Sequence, residues 1–189
     1  MPEPPPEAIV LRRPQKRSVV MSVIDTLKKT MSGEQPDDPD NDILDTLKQD
    51  HRDVAEMLDK LVESNGAVER KKLLESIREA LVPHLRAEEK IVYDAIRGQR
   101  GKEQKTHAEE GFLEHALGDK MLTQLGKMSD TLSPEFSAGA KVLKELVAHH
   151  VEEEETNIWA DVKEHFSDDD RIAMNKKFLA AKKRVKVPA

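Results

Sequence analysis

The sequence predicts an all-α protein, an antiparallel up-down-up-down four-helix bundle with a flexible N-terminal tail and a short C-terminal helix. Three observations lead there. Four segments repeat apolar residues at intervals of three and four, the period of one helix face. Leu, Ala, Glu and Lys are abundant and β-branched runs are few, which favours helix over strand. The connections between the segments are short, so successive helices turn back on one another.

Residues 1–41 read as the tail. Pro2, Pro4, Pro5 and Pro6 bar a helix at the start. Leu11-Arg12-Arg13-Pro14-Gln15-Lys16-Arg17 reads as a solvated basic arm. Val20, Val23, Ile24 and Leu27 keep helical spacing and predict a short amphipathic helix over 18–31, before Pro36, Pro39 and a cluster of Asp. The bundle then occupies 42–165. Its first helix, about 42–64, is opened by Asp40 or Asn41 as cap and closed by Asn65-Gly66. Its core stripe is Leu44, Leu47, His51, Val54, Leu58 and Leu61. The second, about 67–97, carries Leu74, Ile77, Leu81, His84, Glu88, Ile91 and Ala95, with a kink expected at Pro83. The third, about 103–129, carries Ala108, Gly111, His115, Gly118, Leu122 and Leu125. The fourth starts at Ser133-Pro134, a cap followed by proline at the first helical position. It runs to about 165, with Ala140, Leu143, Val147, His150, Glu154 and Asp161 on its stripe. Residues 166–189 hold a shorter helix, about 168–184, capped by Ser167 and Asp168 to Asp170. Its Ile172, Phe178 and Leu179 are expected to cover one end of the bundle, and Lys182 to Lys186 to be a solvated basic end.

Composition excludes several kinds of chemistry. The chain has no cysteine, which removes disulfides, thiolate metal sites and cysteine nucleophiles. A net charge of −6, with only four Phe, Tyr93 and Trp159 as aromatics, argues against a nucleic-acid partner. No apolar run approaches the ~20 residues of a membrane span, and no secretory leader opens the chain. The expectation is a cytoplasmic protein without a membrane span.

The chemistry lies in the core stripes. Each helix places one histidine there, and two of these carry a glutamate four residues on: His84-x-x-x-Glu88 and His150-x-x-x-Glu154. That spacing is about one helical turn, so each His and Glu share a face. A buried, unpartnered carboxylate costs several kcal/mol or more, and a bound cation compensates it. The halves also repeat. Leu81, His84, Glu88 and Tyr93 fall on Val147, His150, Glu154 and Trp159 at an offset of 66, while His51 falls on His115 at an offset of 64. Matched ligands from two halves are how bundles build dinuclear sites. Nitrogen and oxygen ligands alone suit iron, manganese or zinc. Four imidazoles and two carboxylates fit two irons bridged by the carboxylates, with two His on each.

On these six positions the sequence resembles the hemerythrin-like proteins with the HHE cation-binding domain, over about residues 42–165. The resemblance implies a non-haem di-iron centre, two Fe ions with an oxo or hydroxo bridge. It implies His51, His84, Glu88, His115, His150 and Glu154 as ligands. Two neighbours compete. His149 adjoins His150 but aligns with Pro83, which favours His150. Glu155 has the spacing used by oxygen-carrying relatives, whereas Glu154 matches Glu88 by symmetry. Oxygen carriers also have a second His one turn from the third-helix ligand. Gly111 and Asp119 stand there in this chain, which argues against simple oxygen carriage and brings the set closer to relatives that act on nitric oxide and repair iron centres. Asp119 reads as an extra ligand or a hydrogen-bond acceptor. His107 and His165 read as surface residues, and Tyr93 and Trp159 as packing partners half a turn from the ligands. Gly111 and Gly118 read as close-packing positions or as room beside the metals.

Three functions fit. The first is a di-iron protein that binds or senses a small diatomic or peroxide ligand: dioxygen, nitric oxide or peroxide. The second is an enzyme that disproportionates peroxide, reduces nitric oxide or repairs iron centres. The third is an interaction module that the metals merely stabilise.

Overall fold

The computed structural model describes residues 37–187, so the expectations for the basic arm and for a helix at 18–31 lie outside it. Among the described residues the chain is all-helical, with five continuous helices and no strand. Helix α1 is Ile43–Glu63. Its cap is Asp42 rather than Asp40 or Asn41, because the Asp42 carboxylate accepts the Leu44 N–H at 2.9 Å. Helix α2 joins Ala67–Glu88, a π-helical turn at Glu89–Tyr93 and Asp94–Arg97. Helix α3 is Lys102–Gly126. Helix α4 joins Pro134–Glu153, a second π turn at Glu154–Ile158 and Trp159–His165. Ser133 caps it by accepting the Phe136 N–H. Helix α5, Asp168–Lys182, opens on a reciprocal capping box between Ser167 and Asp170.

The chain remains α-helical through Pro83, and the helix departs from regularity six residues later, at the π turn. That turn holds one residue more than an α turn, which moves the buried face. Val92, Tyr93 and Ile96 are buried in place of the expected Ile91 and Ala95.

Helices α1 to α4 pack in a closed ring, each against the next and α4 against α1. Two apolar clusters fill it. One includes Leu47, Val92, Tyr93, Ala108 and Ile158, and the other includes Val54, Leu81, Leu122, Leu125 and Val147. The buried histidines lie between these clusters along every helix: His51 between Leu47 and Val54, His115 between Ala108 and Leu122. Helix α5 lies along α1 and α2. It buries Met174, Phe178 and Leu179, with Ile172 only half-buried. Residues 37–41 dock on it: the Asn175 side chain donates to the Asp38 carbonyl, and Lys176 pairs with Asp40.

At the other end, Arg70 is buried at the start of α2. Its guanidinium donates to the carbonyls of Ser64 and Thr131, both at 2.7 Å, and to the Ser137 hydroxyl at 2.9 Å. It thereby ties the α1–α2 and α3–α4 connections together. Arg70→Met is expected to cost about 2–3 kcal/mol, since bonds from a charged donor are lost and buried carbonyls are left unpaired. The urea midpoint measures this.

Candidate metal centre

All six expected side chains turn inward and meet. His51 is 5% exposed, His84 2%, Glu88 0%, His115 1%, His150 7% and Glu154 2%. Their inner atoms face one another. Glu88 Oε2 lies 3.3 Å from His84 Nε2 and 3.4 Å from His115 Nε2. Glu154 Oε2 lies 3.3 Å from His51 Nε2 and 3.6 Å from His150 Nε2. The Nε2 atoms of His115 and His150 are 3.1 Å apart. These contacts leave both oxygens of Glu88, both of Glu154 and Nε2 of His51 without a hydrogen bond. Buried polar atoms almost always have a partner, so this concentration of orphans fits a bound cation. Two groups of donors stand close enough to hold one: His51, His84 and Glu88, and then Glu88, His115 and His150. They share Glu88. Nitrogen-rich sites of this kind suit divalent first-row metals.

The outer nitrogens form a second ring. Nδ1 of His84 donates to Asp50 at 3.0 Å, and that of His115 to Glu89 at 3.1 Å. Nδ1 of His150 donates to Glu114 at 2.8 Å, and that of His51 to Glu155 at 3.1 Å. Each helix thus supplies the carboxylate that orients the imidazole of the next, α1 to α2, α2 to α3, α3 to α4, and α4 back to α1. A proton held at Nδ1 leaves Nε2 as the inward-facing donor atom, the arrangement metal-ligating histidines adopt. Burial pushes Asp50 upward, but His84 and Lys182 outweigh it and keep the carboxyl below its usual range. Glu114 is kept low against burial by His150, and Glu155 by its bond to His51. These three therefore stay ionised acceptors.

At the centre the electrostatics split the two glutamates. Burial pushes Glu88 up, yet the charge on His84 holds its carboxyl well below the ordinary range. Glu154 is raised by burial and by Glu88 beside it. Burial opposes charge on the imidazoles, but Glu88 and Asp50 raise His84 to about 10, and Glu154 and Glu155 raise His51 to about 9. Without a cation, protons neutralise the cluster.

The chain matches the hemerythrin HHE cation binding domain over residues 42–162. It belongs to that family. A DNA nickase from Nostoc sp. (strain PCC 7120) is 26% identical over 149 residues, covering 79% of this chain and 41% of the relative. The chain thus spans less than half the length of the curated relative it matches. No solved structure matches.

The side chains around the inner donors of this hemerythrin domain take distinct places. Glu155 sits outside the cluster on His51, while Glu154 points in. His149 is exposed and His150 buried. Asp119 accepts from Arg86 and takes no place among the inner donors. His107 is half-buried, not a surface residue, because its Nδ1 donates at 2.8 Å to the buried Asp161. His165 is exposed. Trp159 stacks on His51. Tyr93 is more than a packing partner, since its hydroxyl lies 3.2 Å from Nε2 of His115. Regular helix would set it about 180° from His84, and the extra residue of the π turn brings this to about 80°. Burial, then the carboxylates of Glu154 and Glu88, push the phenol well above its ordinary value, so it stays protonated.

Sequence reasoning misses the outer carboxylates, apart from Glu155. A signal for them does exist. Asp50 and Glu114 each precede a core histidine at the 64-residue offset, and Glu89 and Glu155 each follow a core glutamate at 66.

The two glycines beside His115 differ. A Cβ at Gly111 would lie 2.6 Å from the Tyr93 ring, whereas one at Gly118 would meet nothing within 4 Å. Gly118→Ala is expected to stabilise the protein by about 0.5–1 kcal/mol through helix propensity. Gly111→Ala gains the same but overpacks Tyr93 at about 1–3 kcal/mol, for a net loss. Paired thermal melts check the opposite signs.

Proposed function

We propose that this chain forms an antiparallel up-down-up-down bundle over 42–165 that holds two non-haem irons and binds or senses a small oxidant. The observation that carries the reading is the double ring: six buried inner donors, with each inner imidazole fixed through Nδ1 by its own carboxylate. His51 and His84 would hold one iron, and His115 and His150 the other. Glu88, shared by both donor groups, and Glu154 would bridge them. When bound, the pair would supply redox-active metal for the chemistry of a diatomic molecule or peroxide. The protein's own contribution is spacing, tautomer and access. A cavity lined by Gly118, Val54, Leu81, Leu85, Val147 and Val151 reaches the imidazoles. Such apolar walls suit a neutral molecule over an ion.

The test is elemental analysis and absorption of protein expressed with iron, followed by exposure of the reduced protein to nitric oxide and dioxygen. Two irons per chain, near-ultraviolet charge-transfer bands and a reversible spectral change are expected. One zinc and a featureless spectrum would leave only the metal-stabilised module. Peroxide turnover is the second reading, favoured by the Tyr93 hydroxyl, a proton donor beside His115. Peroxide consumption that falls in Tyr93→Phe while iron content holds would establish it. Supercoiled-plasmid assays on the same preparations show whether the nicking named for the Nostoc relative resides in the residues the two proteins share.

A further inference from the structure

Helix α5 reaches the metal centre from outside the ring. It lies beyond residue 162, where the family match ends. At its last residue, Lys182 Nζ donates to both oxygens of Asp50 at 2.7 and 2.6 Å. Asp50 Oδ2 accepts from Nδ1 of His84 at 3.0 Å. One turn before Lys182, Phe178 sets its ring edge-on to His84, with centroids 5.8 Å apart. The Lys182 ammonium lies over that same ring. The ion pair is largely withdrawn from water, with side-chain exposures of 23% for Lys182 and 15% for Asp50, so salt screens it less than a surface pair.

The support is unequal around the ring. Behind Glu89 stands Arg86, and behind Glu114 stands His149, both from ring helices and both more exposed than Lys182. Among the described residues, Lys182 alone brings a cation from α5 to one of the four carboxylates. The far end of α5 is anchored independently. Arg171 pairs with Asp42 at 2.7 Å, and Asn175 donates to the Asp38 carbonyl. A helix fixed at its start delivers its last side chain to a set position.

We propose that α5 is a positioning strut for one half of the metal centre: Lys182 holds the Asp50 carboxylate, and Asp50 holds the His84 ring in its ligating orientation. Lys182 and Asp50 are positioning residues, not ligands. The inference rests on the metal reading above and adds an asymmetry to it. The half built on His51, His84 and Glu88 depends on α5, and the half built on His115 and His150 does not.

The test compares Lys182→Met with Lys182→Arg, and with Lys176→Met on the same helix, whose lysine pairs with Asp40 away from the site. Iron-loaded proteins are exposed to a chelator and the iron retained is followed over time. In Lys182→Met one of the two irons is expected to leave up to about 10-fold faster, below the 10- to 100-fold of losing an outer partner outright, because Asp50 stays on His84 but is no longer held. The second iron leaves at the wild-type rate, Lys182→Arg retains both, and Lys176→Met matches wild type. Equal loss of both irons, or the same acceleration in Lys176→Met, overturns the inference. So does retention of both irons by Lys182→Met at the wild-type rate. A wild-type protein holding fewer than two irons defeats the metal reading instead. The strut is then judged on metal-free protein by the ring nitrogen-15 shifts of His84. These move in Lys182→Met and not in Lys176→Met if Asp50 is held by Lys182, and unmoved shifts overturn it.

Discussion

Glu88→Leu combined with Glu154→Leu is expected to abolish metal binding and, at the same time, to destabilise the metal-free protein near neutral pH. The two carboxylates are 0% and 2% exposed, and none of their four oxygens has a hydrogen bond. In the metal-free chain the charge on His84 holds Glu88 ionised while burial and Glu88 raise Glu154, so the glutamates and the imidazoles compensate one another. Leucine is close in size and leaves the outer carboxylates in place, so each imidazole keeps its Nδ1 partner. Removing one side of a buried ion pair while the other stays typically costs about 3–5 kcal/mol, and the retained outer acceptors place the loss at the lower end of that range. Metal affinity should fall by more than the roughly 100-fold of an outer-shell change, since Glu88 belongs to both donor groups. Thermal melts and metal titrations on the same samples measure both effects. A metal-free variant as stable as the wild type, or more so, would show that the imidazoles do not draw their charge from the glutamates.

Alkaline pH should unfold the metal-free protein more readily than the loaded one. His84 is raised to about 10 and His51 to about 9 in the folded chain, against 6.5 in the unfolded. Folding therefore takes up protons between those values. The stability this confers is complete below about pH 6.5 and drains away as pH rises through 9 and 10. Glu154, raised by burial and by Glu88, contributes in the same direction. Glu88, held low, acts oppositely and adds stability above about 4.5 that is lost only in acid. A tenfold gain in proton affinity on folding corresponds to about 1.4 kcal/mol, so a loss of a few kcal/mol is expected between pH 7 and 10. Metal binding requires the imidazoles unprotonated, so loading removes this dependence. Denaturant titrations of both forms across that range check it. A flat profile for the metal-free protein would show that the imidazoles do not take up protons on folding.

The helices are legible because a bundle writes its core face into local periodicity. His51, Leu58 and Leu61 fall on one stripe of α1, and all are buried. The six inward donors are legible for the same reason: imidazoles and carboxylates at core positions stand out against Leu and Ile. What lies beyond periodicity is not. Val92, Tyr93 and Ile96 are buried where Ile91 and Ala95 are expected, because a π turn shifts the face and no single residue marks its place. Lys182 reads as a solvated end, yet its ion pair with Asp50 joins residues 132 apart in sequence.

By itself, the sequence determined five helical segments from 42 to 184, a repeated half and six donors on the core faces, since each is a property of spacing along one helix. Only the tertiary structure decided which acid faces which imidazole. That pairing depends on the rotation of neighbouring helices about their axes, and an acid one position from a core residue is as close to the next helix as to water. The same rotation placed the Tyr93 hydroxyl against His115 and set α5 along α1 and α2.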